Sequence, residues 1–179
     1  GLELLASGNS IADEDILSPD EYLSVIDVLT AHDTYNLLLV DCDAGVTGEL
    51  MDEVFRTADV LVIPVAGQDG VAGGVATANR LRYLADKYPD DAGHYNRLLS
   101  DAIVVIGHLN RDSVLIDEKV KELFLSTIGV REVVSIPFDE SLKDGLLIDV
   151  AALDKAADRQ YLALTAAIVA AAAQLEGQR

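Results

Sequence analysis

Short apolar runs separated by helical segments constrain the fold of this chain most strongly. The runs Leu37–Val40, Val60–Val65, Ala102–Ile106 and Val133–Ile136 are continuous, which is typical of strands buried on both faces. Gly1–Ala6 predicts a further short strand at the start of the chain. Because such strands need helices on both sides, we predict an α/β fold with three α/β/α layers and a mostly parallel sheet of about five strands.

The segments between the runs carry helix signals. Ser18-Pro19-Asp20-Glu21 forms a capping box with proline in the first turn, and a stripe of helical period follows it. Further helices are predicted over Glu49–Thr57, Val71–Tyr88, Ile116–Ile128, which ends before Gly129, and Asp149–Leu175. A length of 179 residues suits one domain, so residues 1–179 are predicted to form a single domain.

Charge and cysteine content exclude some classes of function. The formal net charge is −18, from 31 acidic and 13 basic residues, and such a surface repels nucleic-acid phosphates and anionic lipids. A very soluble or halophile-like surface is the simpler explanation of this charge. Cys42 is the only cysteine, which fits a reducing cytoplasm, and the Ala166–Ala173 run is too short to span a membrane. We therefore expect a cytoplasmic protein without direct nucleic-acid binding and without membrane insertion.

The first candidate site follows the Leu37–Val40 run. Ligands of parallel sheets bind at the carboxyl ends of the strands. Here the apolar run ends in Asp41, and Gly45 follows four positions later, which is the pattern of a Walker B segment. In that pattern the aspartate holds a water on Mg²⁺, and the glycine lets the backbone turn beside the γ-phosphate. An acidic turn at the end of a strand explains the same residues.

The next two strand ends carry residues suited to a nucleotide base. Asn110 and Arg111 follow the third run, and an asparagine amide there can recognise an adenine edge. Ile136–Asp139 places the rigid Pro137 and the aromatic Phe138 beside a possible base pocket. The alternatives are a simple turn at Asn110 and a strand end followed by a helix cap at Ile136–Asp139.

A glycine-rich segment, Gly67–Gly74, follows a predicted strand and opens a helix. It contains no lysine, and Asp69 would repel phosphate, so a close-packed helix start explains it better than an anion cradle.

The order of these segments resembles the deviant Walker A ATPases of the MinD/ParA group, in the SIMIBI class of P-loop NTPases. The closest resemblance is to the MinD-like domains associated with actinobacterial type VII secretion. It is carried by Tyr35–Gly45, Ala58–Pro64, Asn110-Arg111 and Ile136–Asp139, and it covers roughly residues 1–175.

The resemblance implies a P-loop NTPase-like fold and a set of roles. Asp41 would position Mg²⁺-bound water, and the nucleotide-binding residues would be Gly45, Asn110, Arg111, Pro137 and Phe138. The surface near Gly67, Asp69 and Gly70 would lie at the switch and dimer face. ATP and Mg²⁺ would be the cofactors of the full-length protein, and a protein partner or a second copy would bind it.

The departures from this family are specific. Its phosphate-binding loop contains a Gly-Lys dipeptide, and none occurs in this chain. Asp43 stands where MinD relatives commonly have proline, and its carboxylate would repel a γ-phosphate. We therefore expect the C-terminal part of a longer switch domain, without the P-loop strand and without ATP hydrolysis of its own. The alternatives are a nucleotide-free pseudo-ATPase that binds proteins, and an unrelated acidic α/β domain whose motif segments do not converge.

Overall fold

The computed structural model describes residues 17–31, 35–42, 48–108, 117–140 and 153–176. The chain divides into two compact units, Gly1–Val54 and Phe55–Arg179, here called the first and second unit. The helices are α1 (Pro19–Thr30), α2 (Glu49–Thr57), α3 (Gly67–Lys87), α4 (Ala92–Ser100), α5 (Asp117–Glu122) and α6 (Lys155–Glu176), and the strands are β1 (Val62–Val65), β2 (Ile103–Gly107) and β3 (Glu132–Ile136). A 3₁₀ turn, Pro89–Asp91, precedes α4, and a π-helix, Leu123–Ile128, continues α5.

The start of α1, in the first unit, confirms the predicted capping box. The Ser18 backbone N–H donates to the Glu21 carboxylate (2.9 Å), and the Glu21 N–H donates to the Ser18 hydroxyl (3.3 Å). Two amides at the helix start, which no helical carbonyl can satisfy, thus gain partners. The Glu21 carboxylate accepts from the Ser18 N–H and also from the Ser18 hydroxyl (2.7 Å), and these two bonds lower the pKa of Glu21.

The strand predicted over Leu37–Val40 is wrong. The structure gives these residues no regular secondary structure, and the exposed fractions of Leu37, Leu39 and Val40 are 49%, 73% and 47%. An apolar run becomes a buried strand only where a neighbouring strand pairs with it, and the described residues of the first unit contain none. Gly1–Ala6, the other strand predicted in this unit, lies outside the described residues.

The sheet lies in the second unit and is smaller than predicted. Within the described residues it has three parallel strands in the order β1-β2-β3, not the expected five. β2 lies in the middle, paired with β1 from Val62↔Ile103 to Val65↔Ile106 and with β3 from Ile103↔Glu132 to Gly107↔Ile136. This central position explains its continuous apolar run, since Ile103, Val104 and Ile106 are fully buried.

Among the described strands, β1 lies at an edge of the sheet, and it contains an exposed proline. The Ile103 N–H donates to the Leu61 carbonyl (2.9 Å), so Leu61 and Ile63 direct their backbone groups toward β2. By the alternation of a strand, Val62 and Pro64 direct theirs toward the opposite edge. Proline has no N–H to donate, which is why it is tolerated in an edge strand.

Helices cover both faces of the sheet, as the α/β prediction requires. On one face α6 packs Tyr161, Leu164, Ala167 and Ile168 against the cluster Ile103, Val105, Val134 and Ile136. On the other face α3 contacts β1 and α4. The layered α/β class is therefore confirmed for the second unit.

Two glycines allow α3 to approach the sheet closely. A Cβ at Gly70 would lie 3.1 Å from the Val65 carbonyl carbon. A Cβ at Gly74 would lie 2.8 Å from Cζ of Phe124 and 3.3 Å from Cγ2 of Ile63. Helix α3 starts at Gly67, four positions before the predicted start at Val71. Its first turn contains Gly70 and therefore lies close to Val65.

The sequence did not predict helix α4, but it did predict the helix end at Gly129. Helix α4 was not predicted, although Tyr95, Leu98 and Leu99 form its buried face. Gly129 was predicted to end a helix, and its φ of 89° confirms the left-handed cap.

Candidate functional site

A cleft of about 320 Å³ lies at the carboxyl ends of β2 and β3. Its lining comes from three parts of the second unit: the strand ends, the start of α5 and the first turns of α6. The lining residues are His108, Asp117, Ser135, Pro137, Ala156, Arg159 and Gln160. This is the edge at which parallel α/β sheets bind ligands.

The cleft contains a hydrogen-bonded cluster of three polar side chains. His108 Nε2 lies 3.0 Å from Oδ1 and 3.2 Å from Oδ2 of Asp117. The Ser135 hydroxyl donates a short hydrogen bond to Asp117 Oδ2 and lies 3.5 Å from His108 Nε2. The cluster therefore connects the end of β2, the start of α5 and the end of β3.

The cluster keeps Asp117 ionised. Burial raises the pKa of Asp117, but the hydrogen bonds from Ser135 and His108 and the charges of His108 and Lys121 outweigh it, so the net pKa lies below the ordinary value of 3.8. The cleft thus presents a carboxylate that accepts hydrogen bonds at neutral pH.

The same geometry argues against nucleophilic catalysis by Ser135. In a Ser-His-Asp triad the imidazole stands between the hydroxyl and the carboxylate and takes the hydroxyl proton. Here the Asp117 carboxylate contacts both the Ser135 hydroxyl and the His108 ring. His108 points Nε2 at Asp117, whereas in a triad this nitrogen points at the serine. The cluster therefore does not have the geometry of such a triad.

Asp139, the last residue of the Ile136–Asp139 motif, fixes the start of α6 beside the cleft. It is only 8% exposed, and its carboxylate accepts a hydrogen bond from the Asp154 N–H (2.6 Å). The Asp154 side chain in turn accepts from the Ala156 N–H (3.3 Å), as a helix N-cap does. This agrees with the simpler interpretation of the motif, a strand end joined to a helix cap.

Of the predicted nucleotide- and metal-binding residues, the structure places only some at the cleft. Pro137 lines the cleft, and Phe138 is half-buried next to it in the chain. Asp41 is exposed in the first unit and follows no strand, so the structural context of a Walker B aspartate is missing. Gly45, Asn110 and Arg111 lie outside the described residues.

The predicted interaction surface lies at the start of α3. Gly67 has a φ of 66° and is separated from β1 by Ala66, and Asp69 is exposed in the first turn. Gly70 is held against Val65. Their role as an interaction surface stays a prediction.

His108, Asp117, Ser135 and Arg159 were missed as site residues. His108 is one of three histidines in the sequence, and Asp117 is the second residue of the helix predicted over Ile116–Ile128. The signal that could have found two of them is position, because His108 and Ser135 stand at the ends of the two strands that carry the motif segments.

Comparisons with known proteins do not extend this description. The chain matches no protein-family model, and it has no match among curated proteins or solved structures.

In the part of the chain that the structure describes, no three His, Cys, Asp or Glu side chains are grouped so as to hold a metal ion. None of the helices described is both long and apolar enough to cross a bilayer.

Proposed function

We propose that this chain is a MinD/ParA-like switch module whose cleft at the ends of β2 and β3 binds the nucleoside part of a nucleotide, without hydrolysing ATP. In this proposal the bound state controls association with a protein partner in the cytoplasm. The observation that supports it is the cleft itself, which is lined by Pro137, one of the residues that the resemblance assigns to the adenine pocket.

The size and polarity of the cleft support a ligand of this class. A volume of about 320 Å³ is at the lower end of the roughly 300–1,000 Å³ typical of small-molecule sites. Among the lining residues, Asp117 supplies acceptors, and Arg159 and Gln160 supply donors. Ribose hydroxyls and base edges need such paired donors and acceptors, since an unmatched polar group in a site costs binding free energy.

The described residues do not fit the Mg²⁺-triphosphate part of the family's ligand. Arg159 is the only lysine or arginine among the lining residues, and it stands in the same cleft as the Asp117 carboxylate. Asp41 follows no strand that would aim it at a metal. We therefore assign no step of hydrolysis to this chain and limit the proposal to the nucleoside.

A nucleotide-free interaction module is the second candidate, and one observation favours it. The Leu37–Val40 segment, which would be the Walker B strand of an ATPase, exposes Leu37, Leu39 and Val40 to solvent in the first unit. Exposed apolar side chains of this kind are common at protein-binding surfaces.

Calorimetric titration with adenosine and with ATP, each with and without Mg²⁺, tests the proposal. We expect adenosine and ATP to bind with similar affinity and without dependence on Mg²⁺, because the cleft offers contacts to the nucleoside alone. ATP incubated with the chain should release no phosphate.

Paired variants on α6 locate the binding. Ala156→Leu fills the cleft and should abolish the heat, whereas Ala163→Leu, on an exposed part of the same helix, should leave it unchanged. No heat with either ligand would refute the proposal and favour the interaction module. Binding that requires Mg²⁺ and disappears in Asp41→Ala would refute the assignment to this cleft.

A further inference from the structure

The outward face of α6 carries an apolar stripe with no partner among the described residues. The helix packs its inner face on the sheet through Tyr161, Leu164, Ala167 and Ile168. On the opposite side Leu162 is 62% exposed and Val169 is 56% exposed, and Ala166 and Ala173 are exposed with them. The spacing of four, three and four residues places all of them in one row, as in a coiled-coil seam.

This row is also free of charge on a strongly acidic molecule. No lysine, arginine, aspartate or glutamate occurs between Arg159 and Glu176, although the whole chain has a net charge of −18. Two copies of such a chain repel each other over most of their surfaces. The α6 row is a surface on which a second copy can approach without placing like charges in contact.

The side chains of the row on one copy are complementary in size to those of the same row on a second copy. If two α6 helices pair antiparallel about a two-fold axis between Ala166 and Val169, each large side chain meets a small one. Leu162 then faces Ala173 of the second copy, and Val169 faces Ala166. Alternating large and small residues fill an interface evenly, and antiparallel seams pair their two apolar positions in this way. Parallel pairing would instead stack leucine on leucine and alanine on alanine, leaving gaps.

We infer that the outward row of α6 binds the same row of a second copy of this chain, in antiparallel orientation. Such a contact is isologous and closes at a dimer. It lies on the opposite side of the sheet from α3, and is therefore separate from the surface predicted at Gly67, Asp69 and Gly70. It does not depend on nucleotide binding.

The size of the row predicts a weak dimer. From Leu162 to Ala173 it extends about 17 Å, at about 1.5 Å per residue, which is small for a protein interface. Repulsion between the acidic chains opposes it and is screened at high salt, where the Debye length falls from about 10 Å at 0.1 M to about 3 Å at 1 M. Association should therefore strengthen several-fold over this range of salt.

Sedimentation equilibrium of the whole chain, from about 10 μM to about 1 mM and at both salt concentrations, measures this association. We expect a monomer–dimer equilibrium. Val169→Glu should weaken it at least about tenfold, because it places two like charges in the seam. Leu125→Glu, at an exposed position of the π-helix, should leave it unchanged. Circular dichroism checks that both variants fold.

Disulfide trapping tests the orientation. In a Cys42→Ser background, a mixture of Leu162→Cys and Ala173→Cys chains should form the mixed disulfide, and neither variant alone should form its own. Disulfides of each variant with itself would overturn the antiparallel pairing. A chain that stays monomeric at about 1 mM and high salt, or a dimer that Val169→Glu leaves intact, would overturn the proposal.

Discussion

Gly74 gives the sharpest test of how α3 packs. A Cβ there would lie 2.8 Å from Cζ and 3.1 Å from Cε1 of Phe124, inside ordinary van der Waals distance, and the Phe124 ring is fully buried. Overpacking a core in this way costs about 1–3 kcal/mol, while replacing glycine by alanine in a helix returns about 1 kcal/mol. We therefore expect Gly74→Ala to destabilise the second unit by about 1 kcal/mol, the middle of a net range of about 0–2 kcal/mol.

The neighbouring Gly73 is the matched control. It is exposed in the same helix, and a Cβ added there would have no other atom within 4 Å, so Gly73→Ala should stabilise by about 0.5–1 kcal/mol. The two variants should differ by about 2 kcal/mol in urea unfolding, or about 4–8 °C in melting temperature. If Gly74→Ala stabilised as much as Gly73→Ala, the close contact between α3 and Phe124 would be refuted.

Three further predictions concern polar contacts. Asp139→Ala should lower the free energy of unfolding by about 1–3 kcal/mol, because the Asp154 N–H loses its acceptor, and Asp139→Asn should cost less; equal losses in urea unfolding would contradict this. Ser18→Ala should cost about 1 kcal/mol of local stability in α1, seen as faster amide hydrogen exchange there; unchanged exchange would exclude the capping box. Since the folded pKa of Asp117 is lowered, its stabilisation is present above an unfolded pKa near 3.8 and is lost as the pH falls through the folded pKa. Urea unfolding between about pH 2 and pH 6 should therefore show a smaller loss for Asp117→Asn than for the wild type, and parallel curves would contradict the shift.

The sequence was sufficient for those elements whose signals are local. The capping box at Ser18 and the left-handed glycine at Gly129 depend on neighbouring residues, and both are confirmed. The β2 run was found because a central strand is apolar on both faces.

The same signal failed at Leu37–Val40, where burial was inferred from composition. Whether an apolar run is buried depends on a neighbouring strand, and the run itself does not contain that information.

The candidate site was found only in part for a related reason. Pro137 stands in a strand-end motif, but Asp117 and Arg159 reach the cleft from helices that are distant in sequence.

The proline of the edge strand limits how the sheet can grow. Any strand added beside β1 would meet the carbonyl groups of Val62 and Pro64 but only one N–H, that of Val62. An ordinary strand, which offers as many acceptors as donors, would leave one of its carbonyls without a partner, at a cost of about 1–3 kcal/mol if it were buried. The edge therefore discourages indiscriminate strand pairing and aggregation, and it favours a neighbour that brings more donors than acceptors.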